Sequence, residues 1–404
     1  MTDQALAGVK VIDLTWHIAG PYCTKILADY GADVIKIEMP GDGDPTRKKG
    51  PFLHNEPHPE KSGLFLYLNT NKQGITLNLK SNTGKKIIRD LLRDADILVE
   101  NFSPGAVGRL GLSYEELEKI NPKLVMTSIS NFGQTGPYRD MKASDTITFA
   151  MGGAMSSTGV PEREPVAAAR NLKMHECGVM AATATLGAWY GARKDGIGEL
   201  VDVSLMEALL GSSDRRDCYL VTYAYTGFST VRTDPARFRG RFQPNGPYPC
   251  KDGWVHTIVQ PMDWPAFCRA IGKTEFLTDP RFENAFDLSL VPEVDGSLIE
   301  WLMERTKQEA SEAFQAAGVI LTPFNTPADV YNDPHFKGRG FWVEIDHPAT
   351  GKLTYPGAPI NMTEGGYQIR RPAPLLGQHN EEVYSGMLGY SREDLVLFRE
   401  MGVI

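Results

Sequence analysis

The side chains best suited to bind a charged ligand follow two predicted strands. Asn101 and Phe102 come directly after one apolar strand, with Arg109 further along, and Lys142 follows the next strand at a longer distance. An aromatic ring beside an amide suits an adenine, while guanidinium and ammonium groups suit phosphate oxygens. Taken singly, each is more typical of an ordinary loop residue, so the prediction depends on their shared position after strand ends.

A second group of reactive side chains lies at the start of a long predicted helix. Met174, His175 and Glu176 precede Gly178, after which small apolar residues recur at helical spacing as far as Ala192. This spacing indicates a helix packed closely against another element. We expect chemistry at the start of this helix, although a carboxylate such as Glu176 near a helix N-terminus also stabilises the helix without any chemical role.

The elements that must position these residues follow an alternating strand–helix pattern. Strands are predicted at 9–14, 33–38, 75–79, 97–100, 124–130 and 200–205, with helices at 22–30, 81–93 and 114–120. Strand, helix and strand within about thirty residues indicate βαβ units and a doubly wound parallel sheet of the α/β class. Such sheets bind ligands at the carboxyl ends of their strands. Gly41 and Gly43 are not followed by a third glycine at the required spacing, so no dinucleotide fingerprint is present.

Composition narrows the class of protein. The net charge of -8 argues against a nucleic-acid-binding surface, and no apolar run is long enough to span a membrane. We read no export signal, and the five scattered cysteines are typical of reduced thiols, so we expect a cytoplasmic protein. The sequence contains no residue spacing typical of a metal site, so we expect no bound metal. The predicted domains are 1–225 and 333–404 for a large domain and 226–332 for a small α/β domain.

Several motifs, in a fixed order over nearly the whole chain, resemble those of the class III CoA-transferases. They include Ala19-Gly20-Pro21, Val99-Glu100-Asn101-Phe102, Gly196-Ile197-Gly198-Glu199 and Pro374-Leu375-Leu376-Gly377. This CaiB/BaiF family includes formyl-CoA, crotonobetainyl-CoA and succinyl-CoA:benzylsuccinate CoA-transferases. The resemblance implies a Rossmann-like CoA-binding domain with a small α/β domain, and an interlocked, ring-like dimer. Carried over by position, it places the CoA contacts at His17, Ile18, Ala19, Leu77, Asn101, Phe102, Arg109 and Lys142.

The sequence departs from the family pattern at the nucleophile. Relatives use one aspartate, four residues before the glycine of the central helix, to attack the acyl-CoA and form covalent intermediates. Here Met174 holds that position, or His175 if the alignment slips by one residue. The nearest carboxylate is Glu176. The related racemases need a histidine before an aspartate in the preceding loop, but Ser144 stands before Asp145.

Three hypotheses follow for the function. The first is an active transferase that uses Glu176. The second, which we favour, is the non-catalytic subunit of a heteromeric transferase whose paralogous partner supplies the aspartate, with succinyl-CoA as the expected donor and a benzylsuccinate-like dicarboxylate as acceptor. The third is a CoA-binding protein without turnover. All three imply an acyl-CoA ligand, a homodimer or a heteromer, and no metal, nucleic acid or membrane.

Overall fold

The computed structural model describes residues 4–167, 171–211, 216–229, 232, 241–284 and 286–404. The chain divides into two compact units. The first contains Met1–Met155, Ala167–Ser229 and Gly340–Ile404, and the second contains Ser156–Val166 and Thr230–Arg339.

A six-stranded parallel sheet forms the centre of the first unit. Its strands are β1 (Lys10–Asp13), β2 (Asp33–Glu38), β3 (Gln73–Thr76), β4 (Ile97–Glu100), β5 (Val125–Ser130) and β6 (Leu200–Ser204). Their order across the sheet is β3-β2-β1-β4-β5-β6. The chain therefore first winds outward from β1 in one direction and then, from β4 onward, in the other.

Helices cover both faces of this sheet. They are α1 (Ala19–Asp29), α2 (Gly63–Leu68), α3 (Asn82–Leu92), α4 (Ala106–Arg109), α5 (Tyr114–Leu117), α6 (Asp145–Met151), α7 (Leu172–Asp195), α8 (Leu205–Gly211) and α9 (Thr222–Thr226). Val11 and Val99 pack in the core beneath α1 and α7, while Ile12 and Leu98 pack in the opposite core beneath α3 and α5. Strand β4 is buried on both faces and is a nearly continuous apolar run, which is why the sequence marks it clearly, whereas β6 at the edge is partly exposed.

The second unit has its own antiparallel sheet and core. Strands β7 (Asn245–Cys250), β8 (Gly253–Ile258) and β9 (Ile320–Pro323) pair in that order. Its helices are α10 (Trp264–Ala270), α11 (Val291–Met303), α12 (Lys307–Ala316), α13 (Pro327–Asn332) and α14 (Pro334–Gly338). Trp264 stacks on Phe276 and Phe282 at centroid distances of 6.1 and 5.8 Å, so aromatic rings fill much of this core.

The C-terminal part of the chain returns to the first unit. It contains the antiparallel strands β10 (Trp342–His347) and β11 (Gly351–Pro356), a π-helical turn over Glu382–Met387, and α15 (Arg392–Glu400). The Asn380 side chain accepts the Thr76 N–H at 2.9 Å and donates to the Thr76 hydroxyl at 2.9 Å, which closes the edge of β3. Val403 and Ile404 lie in the same core as Ile12.

The architecture matches the predicted α/β class with a parallel sheet, and local bounds differ in places. Helix α1 begins at Ala19, three residues before the predicted start, so Pro21 is its third residue. Pro21 is tolerated there because the first four N–H groups of a helix have no partner within the helix. Among the described residues, no helix is long and apolar enough to cross a membrane. The interlocked dimer remains a prediction.

Candidate active site

The point where the sheet reverses its winding lies between β1 and β4, and two loops diverge from it. The Asn101 side chain bridges these loops: its Nδ2 donates to the Trp16 carbonyl at 2.7 Å, and its Oδ1 accepts the Trp16 N–H at 2.8 Å. The Phe102 ring meets the Trp16 ring edge to face at 5.7 Å. In sheets of this type, ligands bind where these loops separate. Asn101 and Phe102 are therefore held at the position where a ligand is expected.

A buried ion pair supports the loop after β1. Asp13 accepts hydrogen bonds from the Thr15 N–H at 2.9 Å and the Thr24 hydroxyl at 2.7 Å, and pairs with Lys72 at 2.9 Å. Burial alone would raise the pKa of Asp13, but the charges of Lys72 and Lys36 and the hydroxyl donors bring it to about 2. Burial lowers the pKa of Lys72 to about 8, so both partners remain charged at neutral pH. The ion pair of Asp13 with Lys72 thus holds the loop after β1 in one conformation.

A second buried pair fixes the next part of this loop. Lys36 pairs with Asp44 at 3.0 Å and donates to the Thr15 carbonyl at 2.8 Å. Asp44 also accepts the His17 N–H at 3.3 Å, and His17 has a left-handed backbone with φ of 68°. Burial, and then the charge of Lys49, lower the pKa of the His17 imidazole. His17 is thereby presented, with part of its ring exposed, just before α1.

The predicted CoA contacts occupy different environments. Ile18 is buried and precedes α1, of which Ala19 is the first residue. The Leu77 side chain lies within the hydrophobic core, so a ligand would meet its backbone. Arg109 ends α4 and is exposed, as is Lys142 before α6. The structure brings Asn101 and Phe102 together with the β1 loop that leads to His17 and Ala19.

Helix α7 meets α1 at Gly178. A Cβ atom built on Gly178 would lie 2.6 Å from the Ala19 carbonyl oxygen and 3.1 Å from the Tyr22 Cβ. Met174 lies one turn earlier and, at about 100° per residue, only about 40° around the helix from Gly178. The position expected for the family nucleophile therefore faces α1, and it carries a thioether.

Glu176 lies on a different side of α7. The same helical geometry places it about 160° from Gly178 around the axis. Its Oε2 accepts from the Lys173 ammonium at 3.0 Å, and Lys173 itself lies over the Phe149 ring at 5.5 Å. Glu176 is thus held by an ion pair that draws it away from the side of α7 that contacts α1.

His175 shares the α1 side of the helix. Its Nδ1 lies 2.8 Å from the Asn171 carbonyl oxygen, and its ring meets the Tyr22 ring at 4.8 Å. Because a carbonyl oxygen only accepts, Nδ1 must carry the proton, which leaves the lone pair of the neutral imidazole on Nε2. His175 is therefore an available base but not a carboxylate nucleophile.

The acid and base pair of the racemases has no counterpart in the loop before α7. Ser144 precedes Asp145, and the Asp145 Oδ2 accepts the Asn171 N–H at 3.2 Å, so it caps the turn into α7. Within the part of the chain that the structure describes, no three His, Cys, Asp or Glu side chains are grouped to hold a metal ion.

Glu100 is a site residue that the sequence interpretation missed. It ends β4, is 2% exposed, and accepts the Phe102 N–H at 2.8 Å. Strand register places it beside Ser128, which in turn neighbours Asp202. Burial, and to a smaller extent the Asp202 charge, raise the pKa of Glu100 to about 7 even though Ser128 and Phe102 donate to it. The sequence signal was a carboxylate closing an otherwise apolar strand.

Comparison with known proteins identifies the family of this chain. The model of CoA-transferase family III matches residues 6–380. Formyl-CoA:oxalate CoA-transferase of Streptomyces coelicolor is 34% identical over 100% of both chains, and that of Rhodopseudomonas palustris is 33% identical over 99% of this chain and 97% of its own.

Solved structures give the same result. A CaiB/BaiF family protein from Brucella suis superposes with a TM-score of 0.84 at 28% identity, covering 95% of this chain and 99% of its own. Rv3272 from Mycobacterium tuberculosis superposes with a TM-score of 0.78 at 25% identity, covering 94% and 99%. The chain therefore belongs to CoA-transferase family III, the class III CoA-transferases.

Proposed function

We propose that this chain is the CoA-binding, non-catalytic subunit of a heteromeric class III CoA-transferase, and that a paralogous subunit supplies the nucleophile. The observation that carries the proposal is the identity of the α7 residue facing α1, one turn before Gly178: Met174. The ligand-binding features at the reversal point of the sheet are retained in Asn101 and Phe102.

The chemistry explains why a thioether cannot serve. A carboxylate nucleophile attacks the thioester and releases CoA thiolate, giving a mixed anhydride. The thiolate then attacks the enzyme carbonyl, which frees the first acid and leaves an enzyme-bound thioester. The acceptor acid repeats both steps in reverse. Methionine sulfur has no oxygen with which to form an anhydride, so Met174 supports none of these steps.

The acid that accepts CoA and the acyl-CoA that donates it are inferred from the names of the relatives and from the family resemblance. The curated relatives are named for formyl-CoA and oxalate, and the resemblance to the benzylsuccinate enzyme suggests succinyl-CoA and a larger dicarboxylate. Oxalate and benzylsuccinate are both dicarboxylates. We therefore infer a dicarboxylic acceptor acid, with succinyl-CoA as the first donor to test and formyl-CoA as the second.

A self-sufficient transferase that uses Glu176 is the second candidate. Glu176 is a partly buried carboxylate, within the first two turns of α7, where it forms an ion pair with Lys173 at 3.0 Å. Its direction, away from the side that meets Ala19, counts against it. A protein that binds CoA without turnover is the third candidate, and partner-dependent activity distinguishes it from the first.

Covalent trapping separates these candidates. The purified chain is incubated with succinyl-CoA or formyl-CoA, treated with hydroxylamine, and its intact and peptide masses are measured. We expect CoA binding without an adduct, and activity with an adduct on the partner after co-expression with a paralogous chain that retains the aspartate. An adduct on the Glu176 peptide, abolished in Glu176→Gln but not in the control Glu118→Gln, would establish the second candidate instead.

Met174→Asp serves as a positive control for the trapping. It places a carboxylate on the side of α7 that meets α1, and we expect it to be labelled by the acyl-CoA without a partner. Binding of CoA without turnover, with the wild-type chain and with every paralogous partner, would favour the third candidate.

A further inference from the structure

Two guanidinium groups from separate elements converge over Gly105. A Cβ atom built on Gly105 would lie 3.1 Å from the Arg139 Nη2 and 3.3 Å from the Arg109 Nη1. The two nitrogens therefore border the same small space, the one that a side chain at position 105 would fill. Gly105 keeps that volume open because it has no side chain and adopts a left-handed backbone with φ of 74°.

The two like charges are only weakly compensated by neighbouring carboxylates. Among the described residues, the ion pair of Arg139 is with the exposed Asp140, from Nε to Oδ1 at 3.9 Å, which is longer than a hydrogen bond. Among the residues that the structure describes, no carboxylate lies within 4.0 Å of the Arg109 guanidinium. Two guanidinium groups this close repel each other, an exposed carboxylate at 3.9 Å offsets little of that repulsion, and an anion between the two groups removes it.

The loop that carries Arg139 has a defined conformation. The Tyr138 ring meets the buried Phe132 ring at 5.9 Å, the Arg139 N–H donates to the Gly136 carbonyl at 3.3 Å, and the Met141 N–H donates to the Tyr138 carbonyl at 2.9 Å. These contacts hold the turn against the end of β5. Arg139 is therefore directed toward Gly105 by a structured turn.

We propose that Arg139 and Arg109 together bind the 3′-phosphate of CoA, so that Arg139 makes the site selective for the phosphorylated ribose. This inference depends on the proposed function, namely that CoA binds beside Phe102. A phosphate monoester carries close to two negative charges at neutral pH, which matches two guanidinium groups, whereas each pyrophosphate phosphorus of CoA carries one. Gly105 lies in the loop that follows Phe102, on the side of the site expected to hold the adenosine.

Calorimetric titration with CoA and with dephospho-CoA, which lacks this phosphate, tests the proposal. The wild-type chain should bind CoA more tightly than dephospho-CoA. Since Arg139 is partly exposed, Arg139→Gln should weaken CoA binding by about 3- to 10-fold and leave dephospho-CoA binding unchanged. The control Arg93→Gln, an exposed arginine at the end of α3, should change neither.

Gly105→Ala provides a second test because its methyl group enters the volume between the guanidinium groups. It should likewise weaken CoA binding more than dephospho-CoA binding. Equal losses for both ligands in Arg139→Gln, or no loss for either, would overturn the assignment while leaving CoA binding intact. A wild-type chain that binds neither ligand would instead overturn the proposed function, and this assignment with it.

Discussion

Replacing Gly178 with alanine tests whether α7 is held against α1 at the distance that the site requires. The new Cβ would lie 2.6 Å from the Ala19 carbonyl oxygen, and ordinary van der Waals contact begins at 3.4 Å. The obstacle is backbone, so a helix must move rather than a side chain. Such overpacking costs about 1–3 kcal/mol, and the better helix propensity of alanine returns up to about 1 kcal/mol of this. We expect a net loss of about 1–2 kcal/mol in the free energy of unfolding.

Gly187→Ala on the same helix is the matched control. A Cβ built on Gly187 meets no atom within 4 Å, so the change should stabilise the chain by about 0.5–1 kcal/mol through helix propensity. Urea unfolding followed by circular dichroism measures both variants at one protein concentration. If Gly178→Ala were as stable as Gly187→Ala, the close contact of α1 with α7 would be wrong, and with it the argument that Met174 faces α1.

Two further predictions concern the loop after β4. The pKa of Glu100 is raised from 4.5 to about 7, so the contribution of Glu100 to the free energy of unfolding is complete below pH about 4.5 and is lost as pH rises toward 7. The melting temperature should decline over this range, and Glu100→Gln should abolish that decline. An unchanged decline in the variant would contradict the burial argument. Asn101→Ala removes both hydrogen bonds to Trp16 and should weaken CoA binding about tenfold, as measured by calorimetry. Asn101→Asp should be intermediate because it keeps only the acceptor. Equal affinity in the wild type and both variants would contradict a positioning role for Asn101.

The parallel sheet was the part of the fold most accessible from sequence. The predicted bounds of β2 and β4 coincide with Asp33–Glu38 and Ile97–Glu100. A strand buried on both faces, such as β4, is a short apolar run between polar turns, and this contrast marks its ends. The prediction was less accurate for β3, which covers Gln73–Thr76 and not 75–79. The same pattern indicated the loops after β4 and β5 as the place for a ligand, whereas the loop after β1 was indicated only by the family resemblance.

The central helix was harder to interpret. Small residues along α7 correctly indicated close packing at Gly178 and Ala181, but Val179 and Tyr190 on the same helix are exposed in this chain. A helix rich in alanine and glycine has a weak contrast between its faces, so the sequence does not show which side is covered. For the same reason, the sequence does not show whether the Glu176 side chain lies on the side of α7 that contacts α1.

The charged contacts were hidden for a different reason. Glu100 and Arg139 are ordinary residues at a strand end and in a polar turn, and only their neighbours in space give them roles. Glu100 is distinguished by burial beside Ser128, and Arg139 by its approach to Gly105. Both relations join segments that are far apart along the chain, which local patterns do not encode.

The closure of β3 by Asn380, and the burial of Val403 and Ile404 beside Ile12, have a consequence for biosynthesis. Strands β1 and β2 belong to a core that also needs residues far along the chain, which leave the ribosome much later. Until those residues emerge, the edge of β3 remains unpaired, and such edges readily pair with other chains. We therefore expect the first unit to remain open to such pairing for a long part of its synthesis, whereas the core of the second unit lies within residues 242–321 and can form earlier.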